Sequence, residues 1–458
     1  MIDPADQARR VVDAVLADVA SGEHLGVVVD SPPGAGKSPL VVRAAAERAA
    51  AGEQVIVVAQ TNEQVDDLLD RLARVAATLP IGRLSALDYL PSARVARHPT
   101  IAVRTRVTDF TAARVIIGTA AKWATVAAGT WPLAIIDEAY QMRSDALLRV
   151  AGRFERALFV GDPGQLDPFS TVDSDLWAGL TWDPMQSAVA VLLRHNPGLP
   201  LHRLPVSWRL PASAAGVVAR AFYPFTAFSP GTLPEQRRMS LTVPARGARA
   251  GAAGTAGSGG GRLGRTDPLD AAVETAAASG WALYELPEGH TPRTDVEAAT
   301  ACVALAARLL ERGAVALSEA APGGVPIGAD RIAIGVAHRD QAAMIRSLLP
   351  EHAAGITVDT ANRLQGSEYD ATIVLHPLSG RRDATAFHLE TGRLCVLTSR
   401  HRHACLVVAR AGIPELLDAH PSTGGVHLNT PVKFPDGWEA NQAVLDHLAN
   451  FRISSTGR

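Results

Sequence analysis

Short apolar runs alternate with segments of helical spacing in the first block of the chain. The apolar runs predict five buried strands: Gly26–Asp30, Gln54–Ala59, Val115–Gly118, Leu133–Asp137 and Ala157–Gly161. Helical spacing lies between several of them, for example at Asn62–Ala76. Buried strands that alternate with helices are typical of a parallel sheet covered on both faces, so the pattern predicts the α/β fold class.

A second block carries the same type of pattern. Its predicted strands are Arg331–Val336, Gly355–Val358, Thr372–His376 and Leu406–Ala409, and its predicted helices are Val296–Arg312 and Gln341–Leu349. We therefore predict a first domain at residues 1–204, a second domain at 205–420 and a polar tail at 421–458 that frays. Residues 245–265 are rich in glycine, alanine and serine, and we expect a flexible loop inside the second domain.

Composition narrows the class of protein. A hydrophobic content of 47% in 458 residues is enough for a sizeable core. We find no run of about 18 uncharged apolar residues and no signal-peptide core, so we expect no membrane partner. Three cysteines do not make a disulfide framework and indicate a cytoplasmic location. The net charge of −2 gives no global basic field, so a nucleic-acid partner requires a locally basic cleft.

A glycine-rich segment follows the first predicted strand and precedes a helical run. It reads Ser31-Pro-Pro-Gly34-Ala-Gly36-Lys37-Ser38 and departs from the P-loop pattern only at Ser31, where glycine is usual. Gly34 and Gly36 allow backbone amides to wrap phosphate groups at a helix N-terminus. We expect Lys37 to reach the β- and γ-phosphates of ATP, and Ser38 to ligate Mg²⁺.

Two later segments supply groups for hydrolysis. One apolar strand ends in Asp137-Glu138, where we expect Asp137 to hold Mg²⁺ and Glu138 to accept a proton from the attacking water. The next strand opens into Gly161-Asp-Pro-Gly-Gln165. Gln165 is a candidate contact for the γ-phosphate and the water, and a plain β-turn is the alternative interpretation of this segment.

These segments together resemble superfamily 1 helicases, and most closely their B-type, 5′-to-3′ branch, which includes the RNA helicase of nonsense-mediated decay. Further matching segments follow in chain order: Gln7, Ala59–Leu69 (motif Ia), Gly118-Thr119 (motif Ic), Ser207–Pro211 (motif IV), Thr360–Glu368 (motif V) and Arg393–Arg402 (motif VI). The match runs from Gln7 to about Arg410. The departures are Ser31, Tyr140, Trp208, Asn362 and the segment Val336-Ala-His338.

The resemblance implies two tandem RecA-like P-loop NTPase domains with parallel sheets and an ATP cleft between them. It implies ATP and Mg²⁺ as cofactors and catalytic roles for Glu138, Gln165, Arg209 and Arg400. It implies nucleotide contacts by Gln7, Trp208, Glu368 and Arg402, and nucleic-acid contacts by Thr61, Asn62, Thr119 and Thr360. For Trp208, a role as a core or interface aromatic is the alternative.

The accessory barrel of this branch has no full counterpart in this chain, which resembles a compact, bacterial-type member. Only residues 77–113 are available as a reduced insertion, which suffices for a hairpin or a strand pair. Its arginines either contact phosphates or form a solvated loop: Arg83, Arg94, Arg97, Arg104 and Arg106. With so few accessory parts, we expect strong strand separation to need a protein partner.

Three functional hypotheses follow. The first is a translocase or helicase on single-stranded DNA or RNA, and the second is a nucleic-acid-stimulated ATPase that clamps or remodels without unwinding. The third is a P-loop protein with no nucleic-acid role. Cys395, His401, His403 and Cys405 are zinc-ligand types, but their spacing fits no ligand pattern and we expect no zinc site.

Overall fold

The computed structural model describes residues 3–166, 168, 186–245, 267–291, 293–420 and 436–456. The described residues form two compact units, and the chain passes from the first to the second between Ser207 and Trp208. This division lies close to the boundary expected at Leu204. The segment expected to be a flexible loop lies outside the described residues, apart from Ala245.

The first unit contains seven helices and nine strands within its described residues. The helices are α1 (Pro4–Ser21), α2 (Lys37–Ala50), α3 (Asn62–Val75), α4 (Ala93–Ala96), α5 (Ala120–Trp123), α6 (Ser144–Ala151) and α7 (Ala188–His195). The strands are β1 (Gly26–Asp30), β2 (Val55–Ala59), β3 (Ile81–Leu84), β4 (Ile101–Arg104), β5 (Val115–Thr119), β6 (Trp131–Asp137), β7 (Phe154–Gly161), β8 (Leu201–Arg203) and β9 (Val206–Ser207).

Eight of these strands form one parallel sheet in the order β4-β3-β5-β2-β6-β7-β1-β8. Alternate residues of one strand enter two different hydrophobic clusters. Val27 and Val29 belong to the cluster that includes Leu40, whereas Val28 belongs to the cluster that includes Trp123. A strand buried on both faces needs a continuous apolar run, which is why the sequence predicted the central strands of this sheet.

The second unit contains nine helices and ten strands within its described residues. The helices are α8 (Ala212–Phe222), α9 (Pro268–Ser279), α10 (Val296–Glu311), α11 (Arg339–Leu348), α12 (Ala361–Leu364), α13 (Ala386–Leu389), α14 (Thr391–Thr398), α15 (Ile413–Ala419) and α16 (Gly437–Leu448). The strands are β10 (Ser229–Pro230), β11 (Arg238–Leu241), β12 (Trp281–Leu286), β13 (Ala314–Ser318), β14 (Ala321–Pro326), β15 (Ile332–Val336), β16 (Thr357–Thr360), β17 (Tyr369–Leu375), β18 (His401–Arg410) and β19 (Arg452–Ser454).

The main sheet of the second unit is also parallel, in the order β16-β15-β17-β18-β12-β19. A small antiparallel sheet, β11-β13-β14, accompanies it. Helix α10 lies over β17 and β18 through its buried face, which includes Cys302 and Leu305. Two parallel sheets flanked by helices confirm the predicted α/β fold class of two RecA-like domains.

The expectation of a frayed tail at 421–458 is wrong for residues 437–454. Helix α16 packs against α8 and α14, and β19 pairs with β12 in parallel register, with Tyr284 opposite Ile453. Glu439 and Asp446 lie on the exposed side of α16, while Val444 and Leu448 on its other side are buried. An amphipathic helix of this length therefore completes the second unit.

The reduced insertion at 77–113 contributes β3 and β4 to the edge of the first sheet. The two strands are parallel to each other and to β5, with Gly82 opposite both Ala102 and Ile116. The insertion is therefore a parallel strand pair, one of the two forms expected, and it extends the sheet instead of standing apart from it. None of the helices within the described residues is long and apolar enough to cross a lipid bilayer.

Replacing Leu448 with alanine tests the packing of α16. Leu448 is completely buried, so Leu448→Ala should lower the free energy of unfolding of the second unit by about 2–5 kcal/mol. Calorimetry measures the shift of the corresponding transition. The control is Leu233→Ala, because that side chain is 66% exposed and its loss should cost less than about 0.5 kcal/mol. Equal unfolding curves for the two variants would contradict the packing described for α16.

Candidate nucleotide and nucleic-acid sites

The candidate residues of the first unit meet at one edge of its sheet. All eight strands are parallel, so their carboxyl ends lie on the same side, where α/β proteins bind ligands. The P-loop follows β1, Asp137 ends β6 and Gly161 ends β7. Strand β2, beside β6 in the sheet, leads to Thr61, and β5, on the other side of β2, leads to Thr119.

The P-loop has the backbone geometry that its glycines allow. Gly34 and Gly36 have φ angles of 72° and 94°, which lie in the left-handed region. Gly36 is the N-cap residue of α2. Ser31 does not adopt a positive φ, and its amide donates to Gly161 O at 2.7 Å. The departure from glycine at Ser31 is therefore tolerated, because this position needs no left-handed backbone.

A buried charge cluster follows the P-loop. The Lys37 Nζ contacts Glu138 Oε1 directly. Burial alone would lower the pKa of Lys37, but the carboxylates of Glu138, Asp137 and Asp162 outweigh it and hold that pKa above its usual value. Lys37 is therefore a cation next to three acidic groups.

Asp137 fits the role of a magnesium ligand. Its carboxylate is buried at 4% exposure, and its Oδ1 accepts no hydrogen bond. Burial raises the pKa of Asp137 to about 6, even though Lys37 lowers it. An unsatisfied buried carboxylate oxygen is a costly group that a hard cation compensates. Ser38, the other expected ligand, lies in the first turn of α2, after Lys37.

Glu138 has an unusual backbone conformation. Its φ of 52° lies in the left-handed region, which costs a non-glycine residue about 1–3 kcal/mol. The turn is held by two backbone hydrogen bonds, from Ala139 N to Val160 O at 3.0 Å and from Gln141 N to Glu138 O at 2.9 Å. This backbone directs the buried carboxylate of Glu138 to Lys37.

Gln165 belongs to a turn that also restrains its side chain. Gly164 N donates to Asp162 Oδ1 at 3.0 Å, and Gln165 Nε2 donates to Asp162 Oδ2. Gln165 is buried at 6% exposure. Asp162 thus forms the turn and orients Gln165, so the β-turn and the candidate catalytic residue are parts of one arrangement.

Tyr140 is a residue of this site that the sequence analysis did not assign. Its hydroxyl donates to Asp30 Oδ1, at the end of β1. Its ring packs so closely on Gly161 that a Cβ there would lie 2.9 Å from both Tyr140 Cδ2 and Tyr140 N. Tyr140 therefore joins the ends of β1 and β7 beneath the P-loop. The only sequence signal was the departure from the small residue usual at this position.

The candidate nucleic-acid residues of the first unit are next to each other in the sheet. Ala59 is opposite Thr119 in the pairing of β2 with β5. Thr61 is the N-cap residue of α3, and its Oγ1 accepts from Gln64 N at 3.2 Å. Thr119 is the N-cap residue of α5, and its Oγ1 accepts an equivalent hydrogen bond from Lys122 N. Thr61 and Asn62 are exposed. The two helix starts thus present polar groups side by side.

The arginines of the insertion do not form one phosphate-binding surface. Arg83 is completely buried, so neither alternative, a phosphate contact or a solvated loop, is correct for this residue. Arg94 pairs with Asp67, and Arg97 pairs with Asp70. Those pairs neutralise charge that a phosphate would otherwise meet. The remaining two, Arg104 and Arg106, are exposed.

In the second unit, one glutamate holds two of the predicted nucleotide-site arginines. Arg209 Nε donates to Glu368 Oε2 at 3.1 Å, and Arg402 Nη1 donates to Glu368 Oε1 at 2.9 Å. Burial would raise the pKa of Glu368, but Arg209 and Arg402 hold it below its usual value. The segments matched to motifs IV, V and VI thus meet through Glu368.

Trp208 and Arg400 lie in different surroundings. Trp208 is partly buried against Gly231, and its backbone oxygen accepts from Arg237 Nη1. Arg400 is buried at 1% exposure, where its Nε donates to Val396 O at 3.2 Å and its Nη2 donates to Ser399 Oγ at 3.1 Å. Their nucleotide contacts remain predictions.

The second unit repeats the local arrangement of the candidate nucleic-acid residues. Strand β15 leads through one residue to His338, which begins α11 and whose amide donates to Gln341 Oε1 at 3.0 Å, as Thr61 N does to Gln64. The neighbouring β16 ends at Thr360, which begins the four-residue helix α12. Thr360 therefore ends the strand beside β15, as Thr119 ends the strand beside β2, although β16 is at the edge of its sheet and β5 is not.

Two departures from the family pattern lie beside Thr360. Asn362 Oδ1 accepts from Nη1 of the buried Arg393 at 3.2 Å. The imidazole of His338 stacks on Phe387, with ring centroids 4.8 Å apart and planes 18° apart. Asn362 thus contacts motif VI through Arg393, and His338 contacts α13 through Phe387.

Two other groups of candidate residues have simpler placements. Gln7 lies in the first turn of α1 with its side chain exposed, and its adenine contact remains a prediction. Among the four zinc-ligand types, Cys395 contacts the Tyr223 hydroxyl and His403 contacts Asp370 and Leu317 O. These contacts are separate from one another.

Comparison with known proteins gives one family match. The AAA domain family matches residues 12–173, less than half of the chain. That range contains the P-loop, Asp137, Glu138 and Gln165, so it supports nucleotide binding and hydrolysis by the first unit. No curated protein sequence matches the chain.

Several solved structures resemble the chain at low identity. The arterivirus nonstructural protein 10 (helicase) is 14% identical with a TM-score of 0.42, over 86% of this chain and 61% of that protein. The helicase of PRRSV is 12% identical with a TM-score of 0.40, over 93% and 57%. The complex of arterivirus nonstructural protein 10 with DNA gives 13% and 0.44, over 84% and 60%. The chain spans about three fifths of the length of these viral proteins.

The raised pKa of Asp137 gives a pH dependence for Mg²⁺. Protonation competes with the metal, so Mg²⁺-dependent nucleotide binding should weaken as pH falls through about 6. Titration of a fluorescent ATP analogue with and without Mg²⁺ across pH 5 to 8 measures it, with Asp137→Asn as the control that lacks the Mg²⁺ effect at every pH. An Mg²⁺ effect that stays constant down to pH 5 would contradict this ligand assignment.

Proposed function

We propose that this protein is an ATP-driven translocase or helicase that acts on single-stranded nucleic acid and belongs to the B-type branch of superfamily 1. The observation that carries the proposal is the carboxyl edge of the first sheet. There Lys37, Asp137 and Glu138 lie close together, and the helix starts at Thr61 and Thr119 follow β2 and β5, the next two strands beyond β6 in the sheet. A nucleotide site and a strand-binding surface on one rigid sheet are what coupling of the two requires.

Hydrolysis would use the groups of the first unit as follows. Lys37 would leave Glu138 and bind the phosphates, and the freed carboxylate would accept the proton of the attacking water. Gln165, oriented by Asp162, would hold that water. Asp137 and Ser38 would hold Mg²⁺, which when bound neutralises charge on the phosphate oxygens.

The second unit would complete the reaction through its arginines. We assign Arg209 and Arg400 to stabilisation of the transferring phosphoryl group, and Arg402, Glu368, Gln7 and Trp208 to nucleotide binding. Turnover would then require both units. Thr360 would contact the nucleic-acid backbone, and its place at the end of a strand and the start of a short helix, as at Thr119, supports this role.

A clamp or remodelling ATPase without unwinding is the second candidate. The observation that favours it is the insertion, whose strands β3 and β4 are integrated into the first sheet. Within the described residues the insertion thus forms no separate wedge between strands. Efficient unwinding would then depend on a protein partner.

ATPase assays with matched single-stranded DNA and RNA test the proposal. We expect oligonucleotides to stimulate turnover, with a steep loss of stimulation as salt rises, because phosphate contacts release counterions. Lys37→Ala should abolish turnover and preserve single-strand binding, while Arg43→Ala, farther along α2 and half-exposed, should leave both unchanged. Turnover that does not respond to either polymer would refute a nucleic-acid motor, and a strand-separation assay distinguishes a helicase from a clamp.

Arg400→Ala tests the assigned transition-state role. It should preserve ATP binding and lower turnover by about 10³-fold or more, the range measured for arginines that stabilise phosphoryl transfer. Because Arg400 is buried, Arg400→Lys is the companion variant, and calorimetry shows which of the two folds. Normal turnover in a folded variant would remove Arg400 from the mechanism.

A further inference from the structure

The guanidinium of Arg83 is buried beside a predicted nucleic-acid contact. Arg83 lies in β3, the second strand from the edge of the first sheet, and none of its surface is exposed. A charged side chain is rarely buried without partners, since the loss of solvation costs several kcal/mol. The groups that Arg83 contacts therefore indicate the role of its charge.

Arg83 uses its donors on three groups. Its Nη1 donates to Leu84 O at 2.7 Å, its Nε donates to Asp66 Oδ1 at 3.3 Å and its Nη2 donates to Asn62 Oδ1 at 2.8 Å. The guanidinium also lies over the Tyr89 ring, 4.2 Å from its centroid. The cation is thus fixed from four directions.

Asp66 fixes the arrangement further. Its Oδ1 also accepts from the Tyr89 hydroxyl at 2.7 Å, and its Oδ2 accepts from Ser92 Oγ at 3.0 Å. Tyr89 and Ser92 both belong to the insertion, whereas Asp66 is on α3, one turn after Asn62. The insertion is therefore tied to the start of α3 through one buried cluster.

The contact with Asn62 determines what that amide offers to a ligand. Arginine has donors only, so the atom of Asn62 that faces Arg83 must be its oxygen. The exposed remainder of the side chain is then the Nδ2 amino group, which is a donor. A phosphate oxygen is an acceptor, and most protein contacts that position nucleic acids go to phosphate and sugar.

We propose that Arg83 is a positioning residue for single-strand binding, which holds the Asn62 amide so that Nδ2 donates to a phosphate oxygen. The proposal rests on the proposed function and assigns the insertion a role in it. The insertion acts as an internal support for motif Ia, and its buried arginine acts on the strand only through Asn62.

A double-mutant cycle tests this dependence. The affinity for fluorescent oligo-dT and oligo-U is measured for the full chain and for Arg83→Lys, Asn62→Ala and the double variant. Lysine keeps the charge but cannot make all three directed contacts. Each single change should weaken binding about five- to tenfold, the size of one hydrogen bond, and the double variant should bind no more weakly than Asn62→Ala.

One further variant tests the Asn62 amide itself, and another is a control for the changes at arginine. Asn62→Asp keeps an acceptor for Arg83 and removes the Nδ2 donor, so it should weaken binding at least as much as Asn62→Ala. Arg71→Lys is the matched control, because Arg71 is a half-exposed residue of the same helix and pairs with Asp67. It should bind like the unaltered protein.

The salt dependence distinguishes positioning from a direct charge contact. Arg83→Gln removes the charge, and positioning predicts an unchanged slope of log affinity against log salt. A direct phosphate contact would reduce the slope by about 0.7 for a single strand.

Three results would overturn the proposal: a reduced slope, additive effects in the cycle, or unchanged affinity in Asn62→Ala. The last variant alters an exposed side chain, so it remains informative even where an Arg83 variant does not fold. If the unaltered protein binds neither oligonucleotide, the proposed function fails first and this inference fails with it. If it binds and the cycle is additive, only the role of Arg83 fails.

Discussion

The parallel pairing of the strands is the constraint on which both candidate sites depend. Parallel strands release the chain at the same edge, so segments far apart in sequence emerge beside one another there. In the first unit this places Asp137 and Gly161 next to the P-loop, since β6, β7 and β1 are consecutive in the sheet. A one-residue slip of register would exchange the side chains of a strand between the two hydrophobic clusters that lie on either face of this sheet.

The nucleotide site balances its charges internally. Glu138 compensates the charge of Lys37. One carboxylate oxygen of Asp137 has no hydrogen-bond partner, and Glu138 has a left-handed backbone. These groups cost free energy that the packing of the first sheet must offset. In the proposed function, a divalent cation would compensate the Asp137 carboxylate, and phosphate groups would replace Glu138 as the partner of Lys37.

Sequence information was sufficient to predict elements whose apolar run or chemical groups lie within one contiguous segment. Central strands such as β1 and β6 are continuous apolar runs, and the P-loop residues are contiguous. It was insufficient for β19, whose three residues are a strand only because β12 lies beside them. It also failed for Arg83, because the pairing with Asp66 joins residues 17 positions apart, and an arginine in an insertion is more commonly exposed.

The order of strands in the second sheet has a consequence for synthesis of the chain. Strand β12 is made before β15, β16, β17 and β18, yet its neighbours in the sheet are β18 and β19. Until residue 454 has left the ribosome, one edge of β12 has no partner, although the first unit has already been completed. At about 5–20 residues per second, this interval lasts many seconds, during which a nascent chain exposes an apolar strand edge that chaperones recognise.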